Sequence, residues 1–256
     1  MIDATAVIET GAEIADDVSI GPYSVVGANV VIDTGTRIGP HVVITGHTRI
    51  GRDNTVFQFA SIGADPQDKK YDGEPTRLEI GDRNTIREFV TVNRGTVQDE
   101  GVTRLGDDNW IMAYVHIAHD CQIGNQTIFA NNASLAGHVT IGDYVMLGGF
   151  TLVHQFCSLG QHSLTAFGAG ISLDVPPYVT VGGSPASPHG MNMEGLRRRG
   201  FSAETRKVLK QAYRTLYREN LSLQEAITQL KGRADQYPEL GVLVSFLENQ
   251  TRGIVR

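Results

Sequence analysis

Residues 8–39 read IETGAE IADDVS IGPYSV VGANVV IDTGTR IG, so that an isoleucine or valine returns every six residues. The same apolar frame continues to Ile62, resumes from Ile80 to Val92 and, after a one-residue slip, runs from Leu105 to Leu159. A period of six fits neither an α-helix nor an alternating strand, and it is typical of the hexapeptide β-helix. Three hexads would close one triangular coil and stack the frame residues into a continuous core. The sequence therefore predicts a mainly β fold, a parallel β-helix in the form of a triangular prism.

Glycine is the one residue type in marked excess. It accounts for 29 of the 256 residues, about 11%, against roughly 7% in average proteins. Many glycines directly follow a frame residue, as Gly21, Gly39 and Gly142 do. We therefore expect sharp corners at these glycines, which need residues that are small or that tolerate a positive φ.

Composition and charge exclude several classes of protein. With 41% hydrophobic and 20% charged residues the chain is neither disordered nor of low complexity. It has no apolar run near the roughly 20 residues of a membrane helix, and its N-terminus does not look like a secretion signal. Two cysteines do not make a disulfide framework, which favours a reduced, cytoplasmic setting. A net charge of −6 argues against a general nucleic-acid binder.

The period changes near Pro188, and we expect a β-helix domain over residues 1–188 followed by a C-terminal α-helical domain over residues 189–256. Two polar interruptions of the frame, 64–79 and 93–104, are predicted to be external loops. Since loops on a rigid scaffold often carry function, both are candidate site segments.

Helix-start signals divide the C-terminal segment. Ser202 is placed to cap a helix that runs to about Glu219, and Ser222 opens a capping box with Glu225. Pro238 fits the first turn of a further helix that runs to about Asn249. These helices should cover the apolar end of the last coil.

Residues three hexads apart should lie on neighbouring coils at the same face. This spacing predicts one column of His119, Gly137 and Gln155, and a second of Asp120, His138 and Phe156, with His116 and His154 on neighbouring hexads. Histidine beside a carboxylate is suited to general-base work, because the acid fixes its tautomer. A glycine N–H one coil away could stabilise an oxyanion. We therefore predict that His119, Asp120 and Gly137 are catalytic and that His162 is an inert histidine.

Two other chemistries are less favoured. Cys121 follows Asp120, but the frame does not place its thiol beside His119, which argues against a covalent mechanism. Zinc sites with three histidines occur on hexapeptide folds, but here Gly137 and Gln155 would be poor ligands. We therefore expect neither a metal nor a cofactor.

A basic segment stands out on the acidic chain. Residues 197–218 contain eight lysines and arginines and one acid, and Lys210, Arg214 and Arg218 share a helix face. A solvated helix face is one interpretation; docking of an acidic partner is the favoured one.

Several motifs resemble those of one enzyme family over essentially the whole length. They are QDKKYDGEPTR at 67–77, NRGTVQ at 93–98, HIAHD at 116–120, LAGH at 135–138, VHQFC at 153–157 and NMEGLRRRG at 192–200. In these the chain resembles the acyl-[acyl-carrier-protein]–UDP-N-acetylglucosamine O-acyltransferases, which catalyse the first step of lipid A synthesis. The resemblance implies a left-handed β-helix, a homotrimer with sites at subunit interfaces, and no stable membrane insertion. It also implies transfer of an (R)-3-hydroxyacyl chain from acyl carrier protein to the glucosamine 3-hydroxyl of UDP-N-acetylglucosamine.

The same resemblance implies roles for further residues. His119 matches the general base, Asp120 its orienting partner and Gly137 the oxyanion donor. Residues that match the family's contacts to the sugar, acyl hydroxyl, nucleotide and pyrophosphate are Asp68, Lys70, His116, His138, His154, Gln155, Asn192, Glu194 and Arg199. The segment Arg197, Arg198 and Arg199 matches the carrier-protein dock.

One position departs from the family. Phe167 stands where many members have a glycine at the floor of the acyl groove, and its ring should favour chains of about ten carbons over longer ones. The sequence leaves three alternatives open. The acceptor sugar could carry a 3-amino group instead of a 3-hydroxyl, and the donor could be a coenzyme A thioester. The chain could also be a non-catalytic trimeric scaffold.

Overall fold

A computed structural model describes all residues from Met1 to Arg256. Its strands are β1 (Val7–Ile8), β2 (Glu13–Ile14), β3 (Ser19–Ile20), β4 (Val25–Val26), β5 (Val30–Ile32), β6 (Arg37–Ile38), β7 (Val43–Ile44), β8 (His47–Ile50), β9 (Thr55–Val56), β10 (Ser61–Ala64), β11 (Arg77–Ile80), β12 (Thr85–Ile86), β13 (Thr91–Asn93), β14 (Val102–Leu105), β15 (Trp110–Ile111), β16 (His116–Ile117), β17 (Gln122–Ile123), β18 (Ile128–Phe129), β19 (Ser134–Leu135), β20 (Thr140–Ile141), β21 (Met146–Leu147), β22 (Leu152–Val153), β23 (Ser158–Leu159), β24 (Leu164–Thr165), β25 (Gly170–Ile171), β26 (Val179–Gly182) and β27 (Ser187–Met191). The helices are α1 (Met193–Arg198), α2 (Ala203–Tyr217), α3 (Leu223–Ala234) and α4 (Pro238–Asn249).

The strands form three parallel sheets, the three faces of a prism. Every third strand belongs to the same sheet. Sheet 1 takes every third strand from β1 to β25, and sheet 2 takes every third strand from β2 to β23. Sheet 3 takes every third strand from β3 to β24 and ends with β26 and β27. Ile117 pairs with Leu135 and Leu135 with Val153, so one coil takes three hexads as predicted. The frame residues point inward and form a core of buried side chains along the prism. The predicted parallel β-helix is confirmed.

The two excursions are shorter than the sequence suggested. Residues 77–79 and 102–104, expected to be loop, belong to strands β11 and β14, because their alternating apolar residues extend sheet 2. The segments that leave the prism are therefore 65–76 and 94–101. Both leave it between a sheet 1 strand and a sheet 2 strand, an edge of the prism that we call the first corner.

Of the two reasons expected for the glycines after frame residues, small size applies at most of them and positive φ at few. Of the glycines after frame residues, Gly63 has a positive φ (75°), but Gly21 and Gly142 do not. An added Cβ would lie 2.7 Å from the Pro40 nitrogen at Gly21 and 2.6 Å from the Gln161 nitrogen at Gly142. Glycine is therefore needed there because the next coil passes too close for a side chain. The left-handed backbone falls at the third residue after the frame, mostly on other residue types such as Tyr114 (φ 63°).

The C-terminal helices begin where their capping signals predict. Ser202 caps α2, and Ser222 and Glu225 form the capping box of α3. Strand β27 runs past position 188, antiparallel to β26, and α1 is a short helix that the sequence did not predict. Tyr213 of α2 packs on the prism core, while the helices share a second apolar cluster of their own.

Candidate active site

His119 and Asp120 lie at the first corner, one coil after the 94–101 excursion. The His119 Nδ1 atom is 2.8 Å from the Asp120 carboxylate, so Nε2 is the ring nitrogen that remains for a substrate. Asp120 adopts φ 60°, a left-handed conformation that aspartate tolerates better than most residues. The corner geometry thus turns the two side chains toward each other.

Asp120 is held as a buried carboxylate. Its side chain is 1% exposed and accepts hydrogen bonds from the Thr96 N–H (2.9 Å) and the Thr96 hydroxyl (2.6 Å). Burial works to raise its pKa, but hydrogen bonds from His119 and Thr96 prevail and hold the pKa below its ordinary value. The ionised form is therefore favoured, which suits support of a protonated imidazole.

Gly137 lies directly beneath the His119 ring. A Cβ at position 137 would be 2.5 Å from Cε1 and 2.7 Å from Nε2 of His119, so no other residue leaves the ring in place. The Gly137 carbonyl accepts from the Phe156 N–H, whereas the Gly137 N–H donates to no protein acceptor. The predicted neighbours His119 and Gly137 are in contact, with a free backbone donor beside the imidazole.

The 94–101 excursion carries two residues whose roles the sequence did not reveal. Thr96 binds Asp120, and the Asp99 carboxylate is 2.7 Å from Nδ1 of His138. His138 stacks on Phe156 at 4.5 Å and meets the His119 ring edge-on at 5.1 Å. The motif at 93–98 marked this loop as unusual, but only the folded path shows which side chains reach the histidines.

The 65–76 excursion forms one side of an open groove of about 740 Å³ beside these histidines. Asp68 and Lys70 line it together with Gln67, Lys69, Gln98, Asp99, His119, His138, Gln155 and Phe156. Arg94 ties the two excursions together, because its guanidinium binds the Gly63 carbonyl (2.8 Å) and the Tyr71 hydroxyl (2.7 Å). The groove therefore brings both predicted loops to the predicted histidines.

Three nearby groups bear on the alternative chemistries. Cys121 is fully buried, and burial raises its pKa to about 12, so it offers no thiolate nucleophile. Ligand atoms of His119, Asp120 and His138 lie within 4.8 Å of one another, close enough to surround a metal ion. However, the Nδ1 atom of each of these imidazoles is already hydrogen-bonded to a carboxylate, and Asp120 accepts two further hydrogen bonds from Thr96.

His116 and His154 flank this groove without lining it. His116 Nδ1 is 2.7 Å from the Thr91 hydroxyl, and burial, followed by the nearby His119, lowers its pKa. His154 is exposed, and its Nδ1 lies 3.2 Å from the Gln155 carbonyl.

Other predicted site residues lie at different corners of the prism. At the corner between sheets 2 and 3, Arg199 lies over the Tyr144 ring at 4.0 Å, and Asn192 caps α1 while donating to the His162 carbonyl. Glu194 is nearby on α1, where hydrogen bonds from Arg197 and Arg198 lower its pKa to about 2. One chain does not bring these groups to His119.

Phe167 occupies the third corner, between sheets 3 and 1. Its side chain is 76% exposed and meets Phe150, also exposed, edge-on at 5.8 Å. Within one chain these rings project into solvent.

The basic segment is organised differently from the prediction. Arg197 and Arg198 are exposed and paired with Glu194, and Arg199, also exposed, stacks on Tyr144. A groove of about 500 Å³ on α2 and α3 instead gathers Lys207, Lys210, Arg214 and Arg233, with Glu204 as its only acid.

His162, whose replacement is predicted to be nearly silent in activity, is a buried histidine. It is 6% exposed and stacked on Tyr144 at 4.6 Å, with Phe201 at its edge. Burial lowers its pKa to about 4. Its position one coil beyond Tyr144 places it in an aromatic stack rather than in solvent.

Comparison with known proteins identifies the family. A family model for bacterial transferase hexapeptide repeats matches residues 11–46 and 103–137, and one described as UDP N-acetylglucosamine O-acyltransferase, domain 2, matches residues 174–255. The acyl-[acyl-carrier-protein]–UDP-N-acetylglucosamine O-acyltransferase of Herminiimonas arsenicoxydans is 59% identical over 100% of this chain and 99% of its own. The chain belongs to this acyltransferase family. The enzyme of the same name from Thiobacillus denitrificans is likewise 59% identical, with the same coverage.

Solved structures agree with this family. LpxA from Acinetobacter baumannii is 47% identical and superimposes with a TM-score of 0.97 over 100% of this chain and 99% of that one. The UDP-N-acetylglucosamine O-acyltransferase of Moraxella catarrhalis, also 47% identical, gives 0.98 with the same coverage. The fold is the expected left-handed β-helix with a C-terminal helical region, and the protein is an acyltransferase. None of its four helices is long and apolar enough to cross a bilayer.

Proposed function

We propose that this acyltransferase moves an (R)-3-hydroxyacyl chain from acyl carrier protein to the glucosamine 3-hydroxyl of UDP-N-acetylglucosamine, in lipid A synthesis. The donor and acceptor are those named for its relatives. The observation that carries the chemistry is His119, held through Nδ1 by Asp120 with Nε2 above Gly137.

The reaction proceeds by direct attack, without a covalent intermediate. His119 Nε2 takes the proton of the 3-hydroxyl while the oxygen attacks the thioester carbonyl. The Gly137 N–H donates to the resulting oxyanion, and Asp120 stabilises the imidazolium. Collapse of the tetrahedral intermediate breaks the carbon–sulfur bond, and the imidazolium returns the proton to the departing carrier thiolate. The buried, protonated thiol of Cys121 is consistent with this route.

Replacement of the base tests this mechanism. His119→Ala should fold normally and lose at least a hundredfold in kcat, in line with typical general-base factors. His47→Ala is the matched control, since His47 is exposed, lies on β8 three coils before β17, and does not line this groove. Activity in the presence of a chelator should be unchanged, and retention of more than about a tenth of the rate by His119→Ala would remove the base assignment.

The donor and acceptor need separate assays. We expect turnover with hydroxyacyl carrier protein and UDP-N-acetylglucosamine, and little with the coenzyme A thioester or with a 3-amino sugar. Comparable rates with coenzyme A would place the chain with a different donor class.

The complete site requires a homotrimer in this proposal. His119, Arg199 and Phe167 lie at three different corners of one prism, so a single substrate can meet all three only where neighbouring chains adjoin. Mixed trimers test this arrangement. His119→Ala and Arg199→Ala chains, each inactive alone, should regain about a quarter of wild-type activity when refolded together, because a quarter of random interfaces combine two intact residues. No recovery would mean that both residues serve one site from the same chain.

The carrier protein should dock on the basic surface formed by Arg197, Arg198 and the α2–α3 groove. Acidic partners are attracted by such clusters, and the attraction is screened by salt. Reversing Lys210 and Arg214 to glutamate should raise KM for the carrier about tenfold at low salt, with kcat retained. Arg49→Glu, on sheet 2, is the control. An unchanged KM would identify the groove as an ordinary solvated surface.

A further inference from the structure

Asp99 belongs to the 94–101 excursion and lines the groove. It contacts His138, which is 39 positions away in the sequence, with 2.7 Å between the Oδ2 and Nδ1 atoms. The hydrogen bond settles which nitrogen of His138 carries the proton, because an ionised carboxylate only accepts. Nδ1 is therefore the protonated atom of the neutral ring.

The rest of the pocket fixes the plane and direction of the His138 ring. Phe156 stacks on one face, and the edge of His119 approaches from the neighbouring position. With Nδ1 on Asp99, the Nε2 atom turns toward Asp120, at 3.9 Å from its Oδ2 atom. The titratable groups around His138 are thus Asp99, Asp120 and His119. Nε2 is the ring nitrogen that remains free for a ligand.

The two histidines use the same device. His119 binds Asp120 and His138 binds Asp99, each through Nδ1, which leaves each Nε2 without a hydrogen bond from the protein. A hydroxyl that approaches Nε2 of His119 also passes near His138, since the two ring centroids are 5.1 Å apart.

We propose that Asp99 is a positioning residue that holds His138 in the Nδ1–H form, so that Nε2 accepts a hydrogen bond from a sugar hydroxyl of the bound acceptor substrate. The identity of that substrate rests on the proposed function above; the Asp99–His138 hydrogen bond does not. Asp99 touches no reacting atom, and its effect passes through the imidazole.

The test pairs a spectroscopic readout with kinetics. In protein labelled with [15N]histidine, and with His138→Gln used to assign the signal, wild-type His138 should show a protonated Nδ1. Asp99→Ala should move the ring to the Nε2–H form that neutral imidazole prefers in water. It should also raise KM for UDP-N-acetylglucosamine about tenfold, as expected for one charge-assisted hydrogen bond, with kcat within about twofold.

Two variants separate positioning from charge and loop stability. Asp99→Asn keeps an acceptor of the same shape and should retain the Nδ1–H form and most of the affinity. Glu100→Gln removes the same charge from the adjacent residue, which pairs with Arg104 instead, and should leave both readouts unchanged.

The outcomes are distinct. An unchanged tautomer and KM in Asp99→Ala would overturn the proposal. A fall in kcat at constant KM would also overturn it, because it would point to disturbance of Thr96 and Asp120 rather than His138. If the wild type turned over no UDP-N-acetylglucosamine, the proposed function would fail while the nitrogen spectra still decided whether Asp99 positions His138.

Discussion

Gly137→Ala should abolish most catalysis while leaving the fold intact. The added Cβ would lie 2.5 Å from Cε1, 2.7 Å from Nε2 and 3.0 Å from Nδ1 of His119, whereas ordinary contacts begin at 3.4 Å. The imidazole must therefore shift by about 1 Å, a displacement that typically costs on the order of a hundredfold in rate. That factor corresponds to about 2.7 kcal/mol in the activation free energy. The shift also strains the 2.8 Å hydrogen bond to Asp120.

Stability should respond little to the same change. The nearest atoms to the new methyl group all belong to the His119 side chain, and Gly137 does not have a positive φ, so alanine suits the backbone. We expect the free energy of unfolding to change by less than about 1 kcal/mol. Initial rates and thermal unfolding should be compared with those of Gly27→Ala, a prism glycine whose added Cβ meets nothing closer than 3.4 Å. If Gly137→Ala kept more than about a third of the wild-type rate, tight placement of His119 over Gly137 would not matter for catalysis.

Three further changes test other parts of the structure. Phe167→Gly should open the acyl groove, and because four extra CH₂ groups offer about 3 kcal/mol of burial, kcat/KM for a fourteen-carbon chain should rise strongly relative to ten; an unchanged ratio would contradict a ruler role. Thr96→Val removes a hydrogen bond that lowers the Asp120 pKa, so it should cost about 1–2 kcal/mol of unfolding free energy at pH 7. This cost should shrink as the pH falls through the wild-type Asp120 pKa, below its ordinary value of about 4, and equal cost at all pH values would refute the linkage. The pKa of His162 is lowered to about 4 in the folded state, so between about pH 6.5 and 4 the unfolded chain binds a proton that the folded chain does not. The free energy of unfolding, measured with a denaturant, should therefore fall by about 3 kcal/mol as the pH falls across that window. In His162→Phe this part of the pH dependence should disappear.

The core was predictable because its rule is strictly local. One apolar residue in six is enough to specify the inward face, and even the polar frame residue Thr165 obeys it. Thr165 is buried, and its hydroxyl accepts the Gly148 N–H and pairs with Thr151, so the missing apolar contact is replaced by hydrogen bonds. Because successive coils repeat at a fixed interval, the same rule also placed His119 over Gly137 and His138 beside Asp120.

The excursions were less predictable, because no repeat constrains their paths. The position of His138 followed from the three-hexad interval, but its partner Asp99 belongs to a loop whose course depends on contacts with other coils. Arg94, for example, reaches back 31 positions to the Gly63 carbonyl. The burial of His162 was unpredictable for a related reason, since one of the rings against it is Phe201, which comes from the segment beyond the prism. Long-range contacts of this kind leave no periodic signal in the sequence.

The corner positions explain how a repetitive fold carries a specific site. Most corners have a residue with left-handed backbone at the third position after the frame, and its side chain lies outside the apolar core. At the first corner these positions hold Asp120, His138 and Phe156, with φ angles of 60°, 62° and 65°. These equivalent side chains, one coil apart, form a column beside the two excursions, and they can vary without changing the packing of the core. The proposed site therefore depends on these corner residues and on His119 and Gly137, which directly precede Asp120 and His138, while the frame residues only build the prism.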